Sequence, residues 1–273
     1  MPRVVTLTTD FGAGSVYVAQ LKGALLRAAA SPTIVDIAHD LAPHDPRAAA
    51  WFVGRACPAF PAGTIHAVVV DPGVGTSRRL LHARIGDHDY LAPDNGLLTL
   101  AIRRGGLAWA REIAVPAGAA ATFHGRDVIA PYAVALLDAA AGGAGRGAGQ
   151  GGIADAPAAG PALEPVLLEW PDPHVADDGA VRGEVVHVDA FGNLVTNLPA
   201  AFLPRLLAAG RILVGGRAVT RVVRTYGEAP PGSLVALVGS QDALEVAVVE
   251  GSAGDRLAAA VGTPVTIPVS AAG

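Results

Sequence analysis

The apolar positions in the first half of the chain alternate between short β-type runs and longer stretches with a helical period. The β-type runs cover residues 4–8, 33–37 and 64–70, and the helical stretches cover residues 16–29, 45–56, 95–104 and 128–140. A hairpin is predicted around Gly86-Asp87, and Asp45 followed by Pro46 is typical of the start of a helix. This alternation predicts an α/β domain with a layered, mostly parallel sheet.

From about residue 180 the pattern changes to short strands separated by tight turns. The predicted strands cover residues 183–188, 212–214, 218–223, 234–238 and 244–249, which indicates an all-β domain. Residues 139–161 are rich in Gly, Ala and Pro and are predicted to form a flexible loop. We therefore expect an α/β N-terminal domain over 1–170, a Pro/Asp-rich linker over 171–179 and a smaller all-β C-terminal domain over 180–273.

Composition and charge narrow the class of protein. About half of the 273 residues are apolar and 16% are charged, so a sizeable core is available, and the net charge of −4 without a basic run disfavours nucleic acid as a partner. No apolar stretch reaches the roughly 18 residues of a membrane span, and Asp10 interrupts the segment that a signal peptide would need. Cys57 is the single cysteine, which fits a reducing compartment. We expect a cytoplasmic protein that does not bind membranes.

Two short segments bring together an acid, a base and a cation. Asp71 follows the predicted buried strand inside a Pro/Gly turn, so its carboxylate is expected at the carboxyl end of that strand, where open α/β sheets bind ligands. Arg78 belongs to the same segment, and His124 lies just before a predicted helix. Such a set can orient and deprotonate a water molecule, so the chain is a candidate enzyme.

A metal site is the alternative for these residues. Arg78 counts against it, because a guanidinium beside a divalent cation costs energy, and the sequence contains no HxxH or HxxxH spacing that would anchor zinc. These residues therefore favour a water-activating set over a metal site.

Two further motifs place polar side chains in predicted turns. Asp10 either caps a turn or binds a ribose diol, because a carboxylate can accept two hydroxyl hydrogen bonds at once. Residues 189–197 either form a β-turn or bind a ligand, since Asp189 and Asn193 belong to a segment with more hydrogen-bonding side chains than a turn needs. Ser240, after a glycine and before another predicted strand, is a weaker candidate.

Taken in chain order, these segments resemble the S-adenosyl-L-methionine (SAM) hydrolases that form adenosine. These enzymes are also called SAM hydroxide adenosyltransferases and are relatives of the SAM-dependent fluorinase and chlorinase. The matching segments are residues 9–12, 20–23, 70–76, 92–96, 123–127, 189–197 and 244–247. Each segment is modest alone, but their joint order is specific and spans nearly the whole chain.

The resemblance implies hydrolysis of SAM to adenosine and L-methionine by attack of activated water or hydroxide at the ribose C5′. It implies that Asp71, Arg78 and His124 activate the water, while the sequence leaves open whether His124 or Asp71 accepts the proton. It also implies a homotrimer, in which SAM would lie between the N-terminal domain of one subunit and the C-terminal domain of the next.

The resemblance also assigns the substrate contacts. Asp10 would hold the ribose hydroxyls, and Phe123 is a further candidate for substrate binding. Asp189 and Ser240 would hold the methionine ammonium and carboxylate groups, and Asn193 would contact adenine. No metal or other cofactor is required.

A halogenase is the enzymatic alternative. Resemblance to a fluorinase would require Tyr, Thr and Ser at the positions of Asp71, Val74 and Gly125. A carboxylate facing the nucleophile repels halide and suits water, so the hydrolase interpretation is favoured.

The methionine end of the substrate is where the resemblance is weakest. Ser15 and Gln241 stand where the fluorinase has an Asp and an Arg, and His44 replaces a Trp. A non-catalytic SAM-binding or nucleoside-binding protein is the alternative of another class. It would keep Asp10 and the C-terminal contacts without using the water-activating set.

Overall fold

The N-terminal unit is built on a six-stranded sheet whose strands alternate with helices. In the computed structural model, which describes residues 3–142 and 160–269, this unit spans Met1–Leu168 and a second unit spans Glu169–Gly273. In chain order the elements of the first unit are β1 (Val4–Thr9), α1 (Val16–Leu25), β2 (Thr33–Ala38), α2 (Pro46–Ala56), β3 (Ile65–Val69), β4 (Leu80–Ile85), β5 (His88–Pro93), α3 (Thr99–Gly105), β6 (Leu107–Ile113) and α4 (Ala130–Gly142).

The strand order confirms the predicted α/β class. The order is β2-β1-β3-β5-β4-β6, with the first four strands parallel and the last two antiparallel to their neighbours. The hairpin predicted around Gly86-Asp87 joins β4 to β5. The edge strand β6 was not predicted, because its alternation of apolar and polar residues is irregular.

Strand β3 is apolar on both faces, because helices cover the sheet on both sides. Ala67 and Val69 pack with α1 and α4, whereas Val68 and Val70 pack with α2 and the residues around α3. A continuous apolar run is the pattern expected of a parallel strand buried in this way. The strand that leads to Asp71 is therefore fixed in the middle of the core.

The helix boundaries follow local capping. The start of α2 is as predicted, since the Asp45 carboxylate accepts hydrogen bonds from the backbone N–H groups of Arg47 and Ala48. Helix α4 follows one π-helical turn (Gly125–Ile129) and continues to Gly142, so residues 139–142 are helical and not part of a loop as predicted. The rest of that predicted loop, up to residue 159, lies outside the described residues. Among the helices of the described ranges, none combines the length and apolar character needed to cross a membrane.

The second unit is an antiparallel sheet, as predicted. Its elements are β7 (His174–Val175), β8 (Val181–Val188), β9 (Leu194–Pro199), α5 (Leu203–Ala209), β10 (Ile212–Val214), β11 (Arg217–Val219), β12 (Leu234–Val238), β13 (Ala243–Val248), α6 (Ala253–Leu257) and β14 (Pro264–Ile267). The strand order is β11-β10-β14-β8-β9-β13-β12, and β7 pairs with β8. Residues 171–179, predicted as a linker, thus contribute a short strand to this sheet, and the short helices α5 and α6 were not predicted.

One buried histidine makes the stability of the N-terminal unit depend on pH. His66 on β3 is fully buried, with its Nδ1 2.7 Å from Thr6 Oγ1 and its Nε2 3.3 Å from His88 Nδ1. Burial, reinforced by the neighbouring His88, lowers the pKa of His66 from 6.5 to about 3. Between these two values the unfolded chain binds a proton that the folded chain does not bind, so stability falls as the pH falls.

We expect the free energy of unfolding of the N-terminal unit to decrease below pH 6.5, with His66 contributing up to about 1.4 kcal/mol per pH unit. His66→Gln should remove that contribution and flatten the dependence, as measured by urea denaturation over an acidic pH series. His174→Gln is the matched control, because His174 is an exposed histidine. Parallel curves for the wild type and His66→Gln would contradict the assignment.

Candidate active site

The structure brings Asp71, Arg78 and His124 into direct contact just beyond the carboxyl end of β3. Arg78 Nε donates to both carboxylate oxygens of Asp71 at 2.9 and 3.0 Å, and Arg78 Nη2 donates to Asp71 Oδ2 at 2.5 Å. The same Nη2 donates to Nδ1 of His124 at 2.7 Å. Arg78 therefore bridges the acid and the base, which do not need to touch each other.

This bridge fixes the protonation of His124. A guanidinium has no lone pair to accept a hydrogen bond, so Nδ1 must be the acceptor and the ring proton must be on Nε2. Burial, and next the charge of Arg78, lower the pKa of His124, while Asp71 and Asp127 act in the opposite direction. His124 is therefore a neutral imidazole above pH 6.5, with an N–H donor at Nε2.

The turn that carries Asp71 and Arg78 is shaped by close packing. The backbone N–H of Val74 donates to the carbonyl of Asp71, and Gly75 adopts a φ of +77°. A Cβ atom on Gly75 would lie 2.5 Å from the carbonyl oxygen of Ala121. Glycine at this position lets the turn approach the segment that leads to His124, which explains how Arg78 reaches the imidazole.

Residues 92–96, one of the segments that carry the family resemblance, hold the same turn in place. Asn95 Nδ2 donates to the backbone carbonyl of Val70 at 2.9 Å, next to Asp71. The buried carboxylate of Asp94 accepts from the Arg79 guanidinium and from the backbone N–H of Val166. Both ends of the segment 71–78 are thus held by side chains that do not face the site.

A cavity of about 320 Å³ opens beside this set in the N-terminal unit. Of the predicted residues it brings together Asp10, Asp71, Phe123 and His124; its other lining residues are Phe11, Tyr17, Pro43, His44, Val69, Val74, Thr122 and Gly125. The Asp10 carboxylate accepts a hydrogen bond from the backbone N–H of His44 at 3.0 Å. The cavity therefore holds two carboxylates, and only that of Asp71 is paired with Arg78.

Three aromatic rings form one wall of this cavity. The ring centroids of Phe11, Tyr17 and Phe123 lie 5.3 to 5.9 Å from one another. Tyr17 could not be singled out from the sequence, because an aromatic residue in the first turn of a helix is equally typical of core packing. Here Tyr17 is exposed and lines the cavity.

The predicted C-terminal residues line a second cavity, of about 550 Å³, within the second unit. Asp189, Asn193 and Ser240 all contribute to it. Asp189 Oδ1 accepts from the backbone N–H groups of Phe191 and Asn193, and Asp189 Oδ2 accepts from Asn193 Nδ2 at 3.0 Å. Segment 189–197 thus forms the turn that one interpretation predicted, and it also presents its polar side chains to a cavity.

Sequence analysis missed two functional candidates in this second cavity. Tyr226 Oη donates to the buried Glu245 Oε1 at 2.5 Å. Burial raises the pKa of Glu245, and the nearby Asp189 adds to the increase, against the hydrogen bond from Tyr226. Glu245 belongs to the matching segment 244–247, but a single Glu in an apolar strand gave no sign of its partner.

Within residues 3–142 and 160–269, no group of three or more His, Cys, Asp or Glu side chains is arranged to hold a metal ion. A buried Asp–Arg–His set beside a cavity, at the carboxyl end of a central parallel strand, is typical of α/β enzymes that act on a small molecule.

Comparison with known proteins identifies the family. The model of the SAM hydroxide adenosyltransferase N-terminal domain matches residues 5–143, and the model of the corresponding C-terminal domain matches residues 183–266. The chain belongs to the SAM hydroxide adenosyltransferase family.

Relatives and a solved structure agree with this assignment. The chain is 41% identical to the (R)-S-adenosyl-L-methionine hydrolase of Thermus thermophilus, over 97% of this chain and 99% of the relative. It is 37% identical to the enzyme of the same name from Salinispora arenicola, over 94% and 95%. A fluorinase from Nocardia brasiliensis is 30% identical over 74% and 73%. The crystal structure of an uncharacterised conserved protein from Thermotoga maritima matches with a TM-score of 0.83 and 33% identity, covering 97% and 99%.

Proposed function

We propose that this protein hydrolyses S-adenosyl-L-methionine to adenosine and L-methionine. The observation that carries this proposal is the contact of Asp71, Arg78 and His124 beside a cavity that also contains Asp10. The names of its near full-length relatives support SAM as the substrate. We propose that this protein acts on the same (R) epimer of SAM that those names specify.

The chemistry of the substrate suits this site. SAM carries a sulfonium group, so attack at the ribose C5′ releases methionine as a neutral thioether. A hydroxide-like nucleophile and a sulfonium cation lose charge as they meet, and a site that excludes bulk water favours such a reaction. Phe123 and Val74 line the cavity next to the Asp71 carboxylate, so apolar side chains adjoin the proposed point of attack.

We propose that Asp71 accepts the proton of the attacking water and that His124 holds the oxygen of that water. His124 Nδ1 is occupied by Arg78, so the ring can offer a donor at Nε2 but has no free lone pair. Each oxygen of Asp71 keeps accepting capacity beyond its bonds to Arg78. The guanidinium would stabilise the negative charge that develops on the water oxygen.

The binding roles remain those that the resemblance implies, and they are proposals. Asp10 would bind the ribose hydroxyls beside Phe123. In the other cavity Asp189 and Ser240 would bind the ammonium and carboxylate of the methionine portion, and Asn193 would contact adenine. The buried carboxylate of Glu245 adds negative charge to the cavity that receives the ammonium group.

Water, and not halide, is the proposed nucleophile. Val74 and Gly125 line the cavity without a hydroxyl group, and Asp71 presents a carboxylate there. A Cβ on Gly125 would lie 3.2 Å from Val69 Cγ1, so a larger residue would require the Val69 side chain to shift. This cavity therefore does not offer halide a hydroxyl from either position.

We also propose that the active form is a homotrimer. The proposed substrate contacts divide between the two units, with Asp10 and His124 in the first and Asp189 in the second. The family resemblance implies that neighbouring subunits supply the two parts of each site. The single cysteine fits a reducing compartment, and on that ground we propose a cytoplasmic location.

The nucleophile can be identified by isotope labelling. We expect purified protein mixed with SAM in ¹⁸O-labelled water to release L-methionine and adenosine that carries one ¹⁸O at the 5′ position. Adding chloride should yield no 5′-chloroadenosine. Chloroadenosine would support the halogenase, and binding of SAM without turnover would support the non-catalytic alternative.

The division of roles between Asp71 and His124 can be tested with amide replacements. Asp71→Asn should lower kcat by about 10²–10⁴-fold, because an amide cannot accept the proton. His124→Gln should lose much less activity than His124→Leu, since the glutamine amide can donate from the position of Nε2.

Wild-type kcat/KM should be constant above pH 6.5 and should fall at lower pH, where protonation of Nδ1 displaces Arg78.

If His124→Gln were as inactive as Asp71→Asn, His124 and not Asp71 would be the proton acceptor. Adenosine binding by each variant, measured by calorimetry, is the control that the cavity is intact.

The trimer can be tested by complementation. We expect light scattering to give three times the subunit mass of 27.4 kDa. His124→Ala and Asp189→Asn should each be inactive, whereas co-expression with random mixing should restore about a quarter of the sites. Asparagine keeps the oxygen that accepts the turn hydrogen bonds of Asp189, so the fold is preserved. A fully active monomer, or mixed trimers without activity, would show that each site is built within one chain.

A further inference from the structure

A line of four polar side chains connects α1 to the end of β1, behind the cavity of the N-terminal unit. Lys22 Nζ lies 2.6 Å from Asp36 Oδ2, and the other oxygen of Asp36 lies 3.0 Å from His39 Nε2, within ion-pair distance but without hydrogen-bond geometry. Nδ1 of His39 lies 2.9 Å from Thr9 Oγ1. The line therefore ends one residue before Asp10.

The inner end of this line holds the turn that carries Asp10. Thr9 Oγ1 accepts a hydrogen bond from the backbone N–H of Phe11 at 3.3 Å. The backbone carbonyl of His39 accepts from the N–H of Gly12 at 2.6 Å. His39 thus contacts the turn at two points, one on each side of Asp10. One contact is to Thr9, and the other is the hydrogen bond that its backbone carbonyl accepts from Gly12.

One set of hydrogen-bond directions suits every member of the line. Thr9 Oγ1 accepts from Phe11, so its own hydrogen is free to go to His39 Nδ1. The proton of His39 is then on Nε2, on the side of the Asp36 carboxylate, which is itself paired with Lys22. Thr9 is therefore held by His39, 30 residues further along the chain, and His39 in turn lies against the carboxylate of Asp36.

The order Thr–His–Asp could also suggest a nucleophile of its own. Thr9 is fully buried and lines neither cavity described above. Its oxygen is already bonded to Phe11 and His39, so it cannot reach a substrate. Thr9 is therefore not a nucleophile, and the line instead supports the neighbouring Asp10.

We propose that Thr9, His39 and Asp36 are positioning residues for Asp10, which they orient toward the ribose hydroxyls of the substrate. The proposal rests on the proposed function, in which Asp10 binds the ribose. Thr9 and His39 are buried, whereas Asp36 is largely exposed, so the effect is largest at Thr9 and decreases toward Lys22.

The test compares binding of adenosine with binding of 2′,3′-dideoxyadenosine, measured by calorimetry on the full chain. We expect the wild type to prefer adenosine. Thr9→Val keeps the shape of the side chain and should lower adenosine affinity about tenfold, because a hydrogen bond that places a charged group is lost. Its affinity for dideoxyadenosine should be unchanged, and Thr9→Ser should restore the preference.

Thr6→Val is the matched control. Thr6 lies on the same strand, is also fully buried and makes the same kind of contact, to His66 Nδ1 at 2.7 Å. Thr6 does not line the cavity of the N-terminal unit. Loss of its hydrogen bond should therefore lower the melting temperature without changing the preference for adenosine. In an Asp10→Ala background, Thr9→Val should cause no further loss of adenosine affinity.

The possible outcomes separate this proposal from the proposed function. A wild type that prefers adenosine, with Thr9→Val keeping the same preference or losing both ligands equally, would overturn the positioning role alone. A wild type that binds both ligands equally would overturn the ribose contact of Asp10 and this proposal with it. If Thr9→Val does not fold, Asp36→Ala at the exposed end of the line is the second test of the proposal. This variant should lower the preference for adenosine over dideoxyadenosine about twofold. An unchanged preference would overturn the proposal.

Discussion

The guanidinium of Arg78 is the interaction on which the candidate site depends. It contacts both Asp71 and His124, and it fixes the bond directions of both. Without it, two acceptors would lie close together with no donor between them, and either one could take the proton. With it, the imidazole becomes a donor and the carboxylate keeps the accepting role. The chemistry proposed for the site follows from this one placement.

That placement needs support from several parts of the N-terminal unit. Asn95 and Asp94 hold the two ends of the segment that carries Asp71 and Arg78, and Gly75 lets it approach the chain before His124. On the other side of the cavity, Asp10 is held through Thr9 and by the backbone of His44. The groups that face the substrate are therefore few, and a larger number of polar residues behind them keep those few in place.

The sequence predicts those parts of the fold and site that depend on local patterns. The apolar run before Asp71 marked a buried strand, and Asp45-Pro46 marked the start of α2. Helix α5 was missed, although Pro204 in its first turn and Gly210 after its end are typical helix signals. The Tyr226–Glu245 pair and the protonation of His124 could not be predicted. They depend on contacts between residues 19 and 46 positions apart, and those contacts exist only once the sheets have formed.

The burial of β3 on both faces also has a consequence for how activity is lost. The segments with the highest local stability in a protein are those packed in the middle of its core, and they open only when the whole unit unfolds. Asp71 is attached to such a strand, since Ala67 and Val69 pack into one layer of the core and Val68 and Val70 into the opposite layer. Heating should therefore disrupt the candidate site and unfold the unit in one step, without an earlier stage in which a folded protein has lost the Asp71 carboxylate from that site.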